Sequence, residues 1–451
     1  MHGNIKKINK IEKELKKVEK ETNIELSEKQ KEAIYVINEN NVCVITGGPG
    51  TGKTTIVKSI IELYKKQGKK TVLCAPTGRA AKRMSETTGE EAKTLHRLLE
   101  IGKVKEEANF EENIEESVAP IDADVIIVDE MSMVDMFLMN LLMKGIYQGT
   151  KLILVGDVDQ LPSVGPGNIL KDIIESEKIS TVKLDKIFRQ AAKSKIILNA
   201  HRVNNGESFI KKEESEEELL EDFFFIREPN QEKILNNVLT LSKDRLTKFG
   251  NYEFFKNIQV ISPTKKGTLG TRELNKSLQQ ALNPENELKR EKNFGNIILR
   301  EGDKVMQVKN NYDIFWERKN PEYENGTGVF NGELGIVEKI DEHEKQVKVK
   351  FDDEKIVYYT YQDIEQLEHA YAITIHKAQG SEFDVVIIPV TAASQMLLTR
   401  NLLYTALTRA KKLLVIVGNP NVVEFMIKNF ESKKRNTGLK YKLQNVFELN
   451  K

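Results

Sequence analysis

The sequence predicts an α/β protein made of two parallel-sheet domains side by side, with a small β-barrel inserted in the second. Three observations carry this. Short apolar runs alternate with longer helical stretches from Asn41 to about Leu184. A second, weaker set of such runs spans Ile258 to Val417. Between about Gly302 and Gln366 the pattern changes to short β-like segments punctuated by turns. Apolar runs of about five residues separated by helices read as strands covered on both faces.

Taken in order, Ile5, Ile8, Ile11, Leu15 and Val18 recur at helical spacing between lysines and glutamates. They predict an amphipathic helix that braces the N-terminal end. The first sheet takes its strands from Val42–Thr46, Thr71–Ala75, Val125–Val128 and Lys151–Val155. The second takes them from Ile258–Ile261, Ala370–Ile375, Val385–Val390 and Leu413–Val417. In the barrel, Lys304–Val308, Gly335–Ile340, Val347–Phe351 and Lys355–Tyr359 are joined through turn signals such as Asn331-Gly332 and Asp352-Asp353. The acidic run Glu213–Asp222 reads as a solvated helix face or loop. The expected boundaries are a helix over 1–25, a first domain over 26–184, a second over 185–301 and 367–451, and the barrel over 302–366.

Composition narrows the function classes. The 451 residues suit about three domains. Lysine and arginine exceed aspartate and glutamate by 69 − 68 = 1. A histone-like polycation is excluded, and any nucleic-acid affinity must come from a local basic groove. Cys43 and Cys74 lie inside apolar runs and read as buried reduced thiols. The six histidines lack metal-ligand spacing. No apolar stretch reaches the roughly 20 residues of a membrane span, and the Lys- and Glu-rich start is not a secretory signal. A cytoplasmic location is expected.

Gly47-Gly48-Pro49-Gly50-Thr51-Gly52-Lys53-Thr54 satisfies the P-loop pattern between a strand and the helical stretch that begins at Thr55. Glycines let backbone N–H groups converge on phosphate oxygens, and the helix N-terminus adds positive potential. Lys53 reaches the outer phosphates in this pattern and Thr54 takes Mg²⁺. ATP and Mg²⁺ are thus the expected cofactors. Asp129 and Glu130 close an apolar strand, placing Asp129 as second metal anchor and Glu130 to orient or deprotonate the attacking water.

The remaining motifs give direction. Gly156-Asp157-Val158-Asp159-Gln160-Leu161-Pro162, Phe188-Arg189-Gln190, Thr374 through Glu382 and Tyr404 through Ala410 follow in that order. Together they resemble the motifs of superfamily 1 helicases, specifically the RecD-like branch that moves 5′→3′ on DNA. The resemblance covers nearly the whole chain from Leu26 onward. It implies RecA-like P-loop domains, an SH3-like barrel, and an ATP-driven translocase and helicase acting on single-stranded and 5′-tailed duplex DNA in repair or recombination, without a membrane and as a monomer.

By the same resemblance Gln30 reads adenine, Gln160 senses the γ-phosphate, and Arg189 and Arg409 reach it from the second domain. Gly48, Pro49, Gly50, Thr51, Gly52, Lys53, Thr54 and Thr55 hold the nucleotide, with Gly380 and Glu382 touching it from the far side. Pro76, Thr77, Arg79, Thr94 and His96 are implied strand contacts on the first domain, as are Thr374 and His376 on the second. Hydroxyls, amides and arginines of this kind fix a phosphate backbone without reading bases. His96 and His376 are equally readable as core histidines.

Two segments depart from the family. The stretch 101–119, where relatives place a strand-separating element, is short and strongly acidic, so unwinding is less secure than translocation; a short wedge hairpin is expected near Val104–Phe110. Residues 314–328 read as an extra loop whose Phe315, Trp316 and Tyr323 form a stacking platform for bases or else tuck against the barrel. Larger family members carry a long region ahead of the motifs, where only a short helix precedes Gln30 here. Two other functions stay open: a nucleotide-switched DNA-binding module without sustained movement, and an RNA-directed helicase of the same superfamily.

Overall fold

The computed structural model describes residues 2–101, 118–188, 191–210, 219–295, 297–319, 323–430 and 435–449. The chain divides into two compact units, Met1–Ala192 with Lys433–Lys451, and Lys193–Ser432.

The first unit opens with α1 (His2–Thr22) and α2 (Glu28–Glu39). Ser27 and Gln30 form a capping box that fixes the start of α2. There follow β1 (Val42–Gly47), α3 (Lys53–Lys66), β2 (Thr71–Ala75), α4 (Gly78–Thr88), β3 (Ala92–Thr94) and α5 (Leu95–Leu98). Next come β4 (Val125–Val128), α6 (Met136–Gly145), β5 (Lys151–Gly156), α7 (Ile169–Ser176) and β6 (Ser180–Leu184). The six strands pair in parallel in the order β3-β2-β4-β5-β1-β6. Successive side chains of each strand serve opposite faces. Cys43, Ile45, Val125, Ile127, Ile153 and Val155 join the α1, α2 and α3 core. Val44, Ile126, Val128, Leu152 and Leu154 join the core under α6 and α7. Both faces are apolar, which is why the runs show no polar alternation. Leu15 and Val18 are buried, so each holds α1 with roughly 1.5–3 kcal/mol.

The wedge hairpin expected near Val104–Phe110 lies outside the described residues. Residues 433–451, expected in the second domain, belong to the first unit. Their helix Leu439–Leu449 lays Leu439 and Leu443 against the second of these cores, and Arg435 donates to the carbonyls of Gly165 (2.6 Å) and Gly167 (2.7 Å). The sequence gives no periodic signal strong enough to assign so short a helix to one sheet over the other.

The second unit begins with α8 (Lys195–Asn205) and β7 (Phe223–Arg227), then α9 (Gln231–Thr240), β8 (Ile258–Ser262) and α10 (Thr271–Leu282). An antiparallel insertion supplies β9 (Glu291–Asn293), β10 (Ile298–Arg300), β11 (Lys304–Gln307), β12 (Asn311–Arg318), β13 (Glu324–Val329), β14 (Leu334–Asp341), β15 (Gln346–Phe351), β16 (Ile356–Thr360) and β17 (Leu367–His369). The unit ends with β18 (Ala372–Thr374), β19 (Phe383–Val390), α11 (Arg400–Leu407), β20 (Ala410–Gly418) and α12 (Pro420–Lys428). Its parallel sheet runs β18-β8-β19-β20-β7, and the insertion forms a seven-stranded sheet β13-β12-β16-β15-β14-β11-β17 with its own core.

Two expectations change here. The run Glu213–Asp222 is not wholly solvated: buried Asp222 accepts from Ser194 Oγ (2.5 Å) and Ile196 N (3.3 Å), securing the start of α8. Within the stretch 314–328, Ile314–Arg318 belong to β12 and Glu324–Gly328 to β13, which pair antiparallel, with Trp316 opposite Gly326 on β13 and Val357 on β16. Trp316 is buried in the insertion's core, beneath the Arg318 and Lys355 cations at 5.5 and 5.4 Å from its ring. It tucks inward, whereas Phe315 and Tyr323 are exposed.

The insertion is joined to the parallel sheet through a fully buried carboxylate. Asp303 accepts from Arg300 N (2.8 Å), Gln279 Nε2 (2.6 Å) and Asn283 Nδ2 (2.7 Å). It also accepts from Tyr371 Oη (2.8 Å) and pairs with His369 Nε2 (3.1 Å). Burial alone would raise its pKa, but the bonds from His369, Asn283 and Tyr371 outweigh it and hold the carboxyl below its usual range.

Candidate functional site

Parallel pairing sends the carboxyl ends of all six strands of the first sheet to one edge, where ligands of open α/β sheets bind. The P-loop follows β1, Pro76–Arg79 follow β2, Thr94 ends β3, Asp129 and Glu130 follow β4, and Asp157 through Gln160 follow β5.

The P-loop is shaped by glycine. Gly50 and Gly52 hold φ of 73° and 79°, which other residues adopt only at a cost. A Cβ on Gly52 would also lie 2.5 Å from Gln30 Nε2 and 2.7 Å from the Phe188 ring. Thr51 turns its hydroxyl inward to Gly48 O (2.8 Å), while Thr54 is exposed. α3 begins with no side chain capping its N-terminus, so the N–H groups of its first turn suit an anion. Lys53 Nζ donates to Gly47 O (2.6 Å) and Gly48 O (3.0 Å).

Gln30 is fully buried. Its Oε1 accepts from Ser27 N (2.9 Å) and its Nε2 donates to Gly52 O (3.2 Å). The same side chain therefore caps α2 and buttresses the P-loop. Phe188 N donates to Gly50 O (3.1 Å), tying the segment after β6 to that loop.

Asp129 and Glu130 sit close beneath. Glu130 N donates to Asp129 Oδ1 (2.8 Å), and Glu130 holds a left-handed φ of 54°. Burial pushes the Asp129 carboxyl up, as does the Glu130 charge, while Arg83 and Lys53 pull the other way. Glu130 is itself buried and receives Arg83 Nη2 at 2.6 Å. Arg83 was not singled out in the sequence; its only signal there is its place four residues after Arg79. Gln160, also buried, donates through Nε2 to Asp157 Oδ2 (3.3 Å).

Thr77 and Thr94 sit at helix starts. Thr77 Oγ1 accepts from Ala80 N (3.3 Å), and Thr94 Oγ1 from Arg97 N (3.1 Å). Pro76, Arg79 and His96 are half-buried beside them. Burial lowers the His96 pKa, with Asp135 opposing.

In the second unit, Thr374 ends β18 and its Oγ1 accepts from Lys377 N (3.3 Å). His376 is exposed over part of its side chain, and the burial of the rest lowers its pKa. Gly380 holds a φ of 71°. Arg409 is buried and donates through Nη1 to Ser381 O (3.0 Å), through Nε to Thr405 O (3.0 Å) and through Nη2 to Thr408 Oγ1 (3.0 Å). It therefore lies against the segment containing Gly380 and Glu382, and Glu382 Oε2 faces Lys411 Nζ at 3.9 Å. Arg189 lies outside the described residues.

Three family models match successive stretches. An AAA domain covers residues 30–166, an ATP-dependent RecD-like DNA helicase SH3 domain covers 274–351, and a UvrD-like helicase C-terminal domain covers 369–417. The chain is 34% identical over 421 residues to the ATP-dependent RecD2 DNA helicase of Deinococcus radiodurans, spanning 92% of this chain and 52% of that one. It is 28% identical over 469 residues to the RecBCD enzyme subunit RecD of Buchnera aphidicola subsp. Schizaphis graminum, spanning 89% of this chain and 74% of that one. The chain thus spans about half the length of its RecD2 relative. A crystal structure of Bacteroides Pif1 bound to ssDNA aligns over 95% of this chain and 98% of that one, at 22% identity and a TM-score of 0.48. With a P-loop, acidic strand end and glutamine on one sheet, an inserted antiparallel sheet matching the RecD-like SH3 model, and relatives spanning most of the chain, this chain is similar to RecD-like helicases over most of its length.

Proposed function

We propose that this chain hydrolyses ATP with Mg²⁺ and uses the energy to move 5′→3′ along single-stranded DNA and unwind 5′-tailed duplexes. The observation that carries the reading is the convergence of Lys53, Asp129, Glu130 and Gln160 at the carboxyl edge of one parallel sheet. The donor set fits the nucleotide: an uncapped N-terminus of a 14-residue helix behind two left-handed glycines, with Lys53 beside it. It also fits a magnesium ion, since Thr54 supplies an exposed hydroxyl and Asp129 a carboxylate. Among the described residues no group of three or more His, Cys, Asp or Glu could hold a metal unaided, as suits an ion that shares its ligands with phosphate oxygens. Bound there, Mg²⁺ supplies charge neutralisation at the phosphates. Glu130 orients or deprotonates the attacking water, Lys53 stabilises charge on the outer phosphates, and Gln160 contacts the γ-phosphate.

Gln30 is proposed to contact adenine, with Thr51, Thr55, Gly380 and Glu382 completing the nucleotide contacts. Arg189 and Arg409 are proposed to stabilise the transition state. DNA phosphates are proposed to rest on Pro76, Thr77, Arg79, Thr94 and His96 in one unit and on Thr374 and His376 in the other. The hydroxyls of Thr77 and Thr94 already cap helices, so those helix starts offer backbone N–H groups as well. The relatives, a DNA helicase and RecBCD subunits, support a role on DNA in repair or recombination.

The test is steady-state ATP hydrolysis with and without oligo-dT, followed by strand separation on 5′-tailed and 3′-tailed duplexes. Strong stimulation, lost at least about 100-fold in Lys53→Ala, and unwinding of the 5′-tailed substrate alone are expected. A slow rate indifferent to DNA would replace the motor with a nucleotide-switched clamp. Stimulation by poly-U equal to that by oligo-dT would replace DNA with RNA.

A further inference from the structure

Arg83 does nothing in the chemistry described so far, yet it grips the residue proposed to activate water. Its Nη2 lies 2.6 Å from Glu130 Oε1 and 3.9 Å from Asp129 Oδ2. Both side chains of the tight pair are largely withdrawn from solvent. A guanidinium at this distance occupies one carboxylate oxygen, so that oxygen is not open to an attacking water while the pair persists. Glu130 is also held in a left-handed backbone conformation, 54° in φ, so its side chain has little freedom to turn elsewhere while the pair persists.

The helix bearing Arg83 matters as much as the pair. α4 starts at the segment Pro76–Arg79, its first turn is capped by Thr77, and Arg83 follows Arg79 by one helical turn on the same face. An anionic strand arriving at that helix start draws on Arg79 and competes with Glu130 for the Arg83 charge. A single rigid element therefore joins the DNA-contacting end of the unit to the water-activating carboxylate.

We propose that Arg83 is a positioning residue that latches Glu130 in the DNA-free chain and frees it when single-stranded DNA engages the start of α4, so that ATP is hydrolysed mainly on DNA. This inference rests on the ATPase reading given above. Without the latch Glu130 is available whether or not DNA is present.

The experiment measures kcat and KM for Mg-ATP in the full chain, with and without saturating oligo-dT. In Arg83→Gln the DNA-free kcat is expected to rise about fivefold or more, the usual scale of coupling between two sites. The DNA-saturated kcat and the KM for ATP are expected to stay near those of the unaltered chain. The gained rate should vanish in the double variant Arg83→Gln/Glu130→Gln, and Arg83→Lys should restore part of the stimulation. Melting temperatures accompany each variant; if Arg83→Gln does not fold, Arg83→Lys carries the measurement through its stimulation ratio. A parallel fall of both rates, or an unchanged ratio, overturns the latch while leaving the ATPase reading intact. Absence of Lys53-dependent hydrolysis in the unaltered chain overturns both.

Discussion

Replacing Asp303 tests how the insertion is fastened to the second unit. The carboxylate is fully buried and takes five donors at 2.6–3.1 Å, from Arg300, Gln279, Asn283, Tyr371 and His369. Asp303→Ala removes every acceptor at once and leaves buried donors unpaired. Gln279 and Asn283 keep second acceptors at Ile298 O and Glu301 O. That leaves the donors of Arg300, Tyr371 and His369 at a little over 1 kcal/mol each, within the usual range of about 1–3 kcal/mol per buried unpaired donor. A loss of about 4 kcal/mol is therefore expected. For a unit of this size that corresponds to a fall of roughly 8–16 °C in melting temperature. Asp303→Asn keeps one acceptor but turns an N–H₂ toward donors, so it should fall between the two. Calorimetry or circular dichroism across a pH series checks this. The folded-state pKa is depressed, so the stability contributed by Asp303 is present above the unfolded carboxylate value near 3.9 and is lost as pH falls through the lower folded value. Asp303→Asn should lack that loss. A melting temperature within about 2 °C of the unaltered chain for Asp303→Ala would refute the reasoning.

Two further outcomes follow from burial. Trp316→Ala should cost about 3–5 kcal/mol through the insertion's core yet leave oligo-dT affinity unchanged at temperatures where the chain is folded, as fluorescence anisotropy would show; weaker binding without loss of stability would restore the stacking platform. Burial pushes the Cys43 thiol up to about 12 and raises Cys74 as well, so neither should react with Ellman's reagent at pH 8 until denaturant is added, and prompt reaction would contradict the packing.

The nucleotide motifs were readable because their chemistry is local: a P-loop declares itself by glycines, lysine and threonine within eight consecutive residues. The four central strands of the first sheet were readable because both faces are covered and nearly every interior position is apolar, with polar residues only at strand ends such as Thr71, Thr46 and Lys151. β3 and β6 were not, since Ala92–Thr94 and Ser180–Leu184 carry polar residues and gain their pairing only from neighbours already in place. β7 was missed for a related reason: Phe223–Arg227 is partly exposed along its length and directly follows an acidic run. The β12–β13 pair hides behind Asn, Gly and Glu residues that look like loop, and only Trp316 reveals its buried face. Gln30 illustrates a different limit. Its place in a Ser-x-x-Gln box was present in the letters, but its bond to Gly52 depends on two segments meeting in space. Arg83 depends likewise on α4 lying beside the end of β4.

The grip of Arg435 on Gly165 and Gly167, with its Nη2 also on Ser163 O at 2.5 Å, has a bearing on biosynthesis. The loop just past Gln160 receives its clamp from a residue translated some 270 positions later. On the ribosome, then, the segment that begins at Gln160 stays unbraced until the intervening unit has been made. A truncated nascent chain would carry an intact P-loop but lack the brace on that loop.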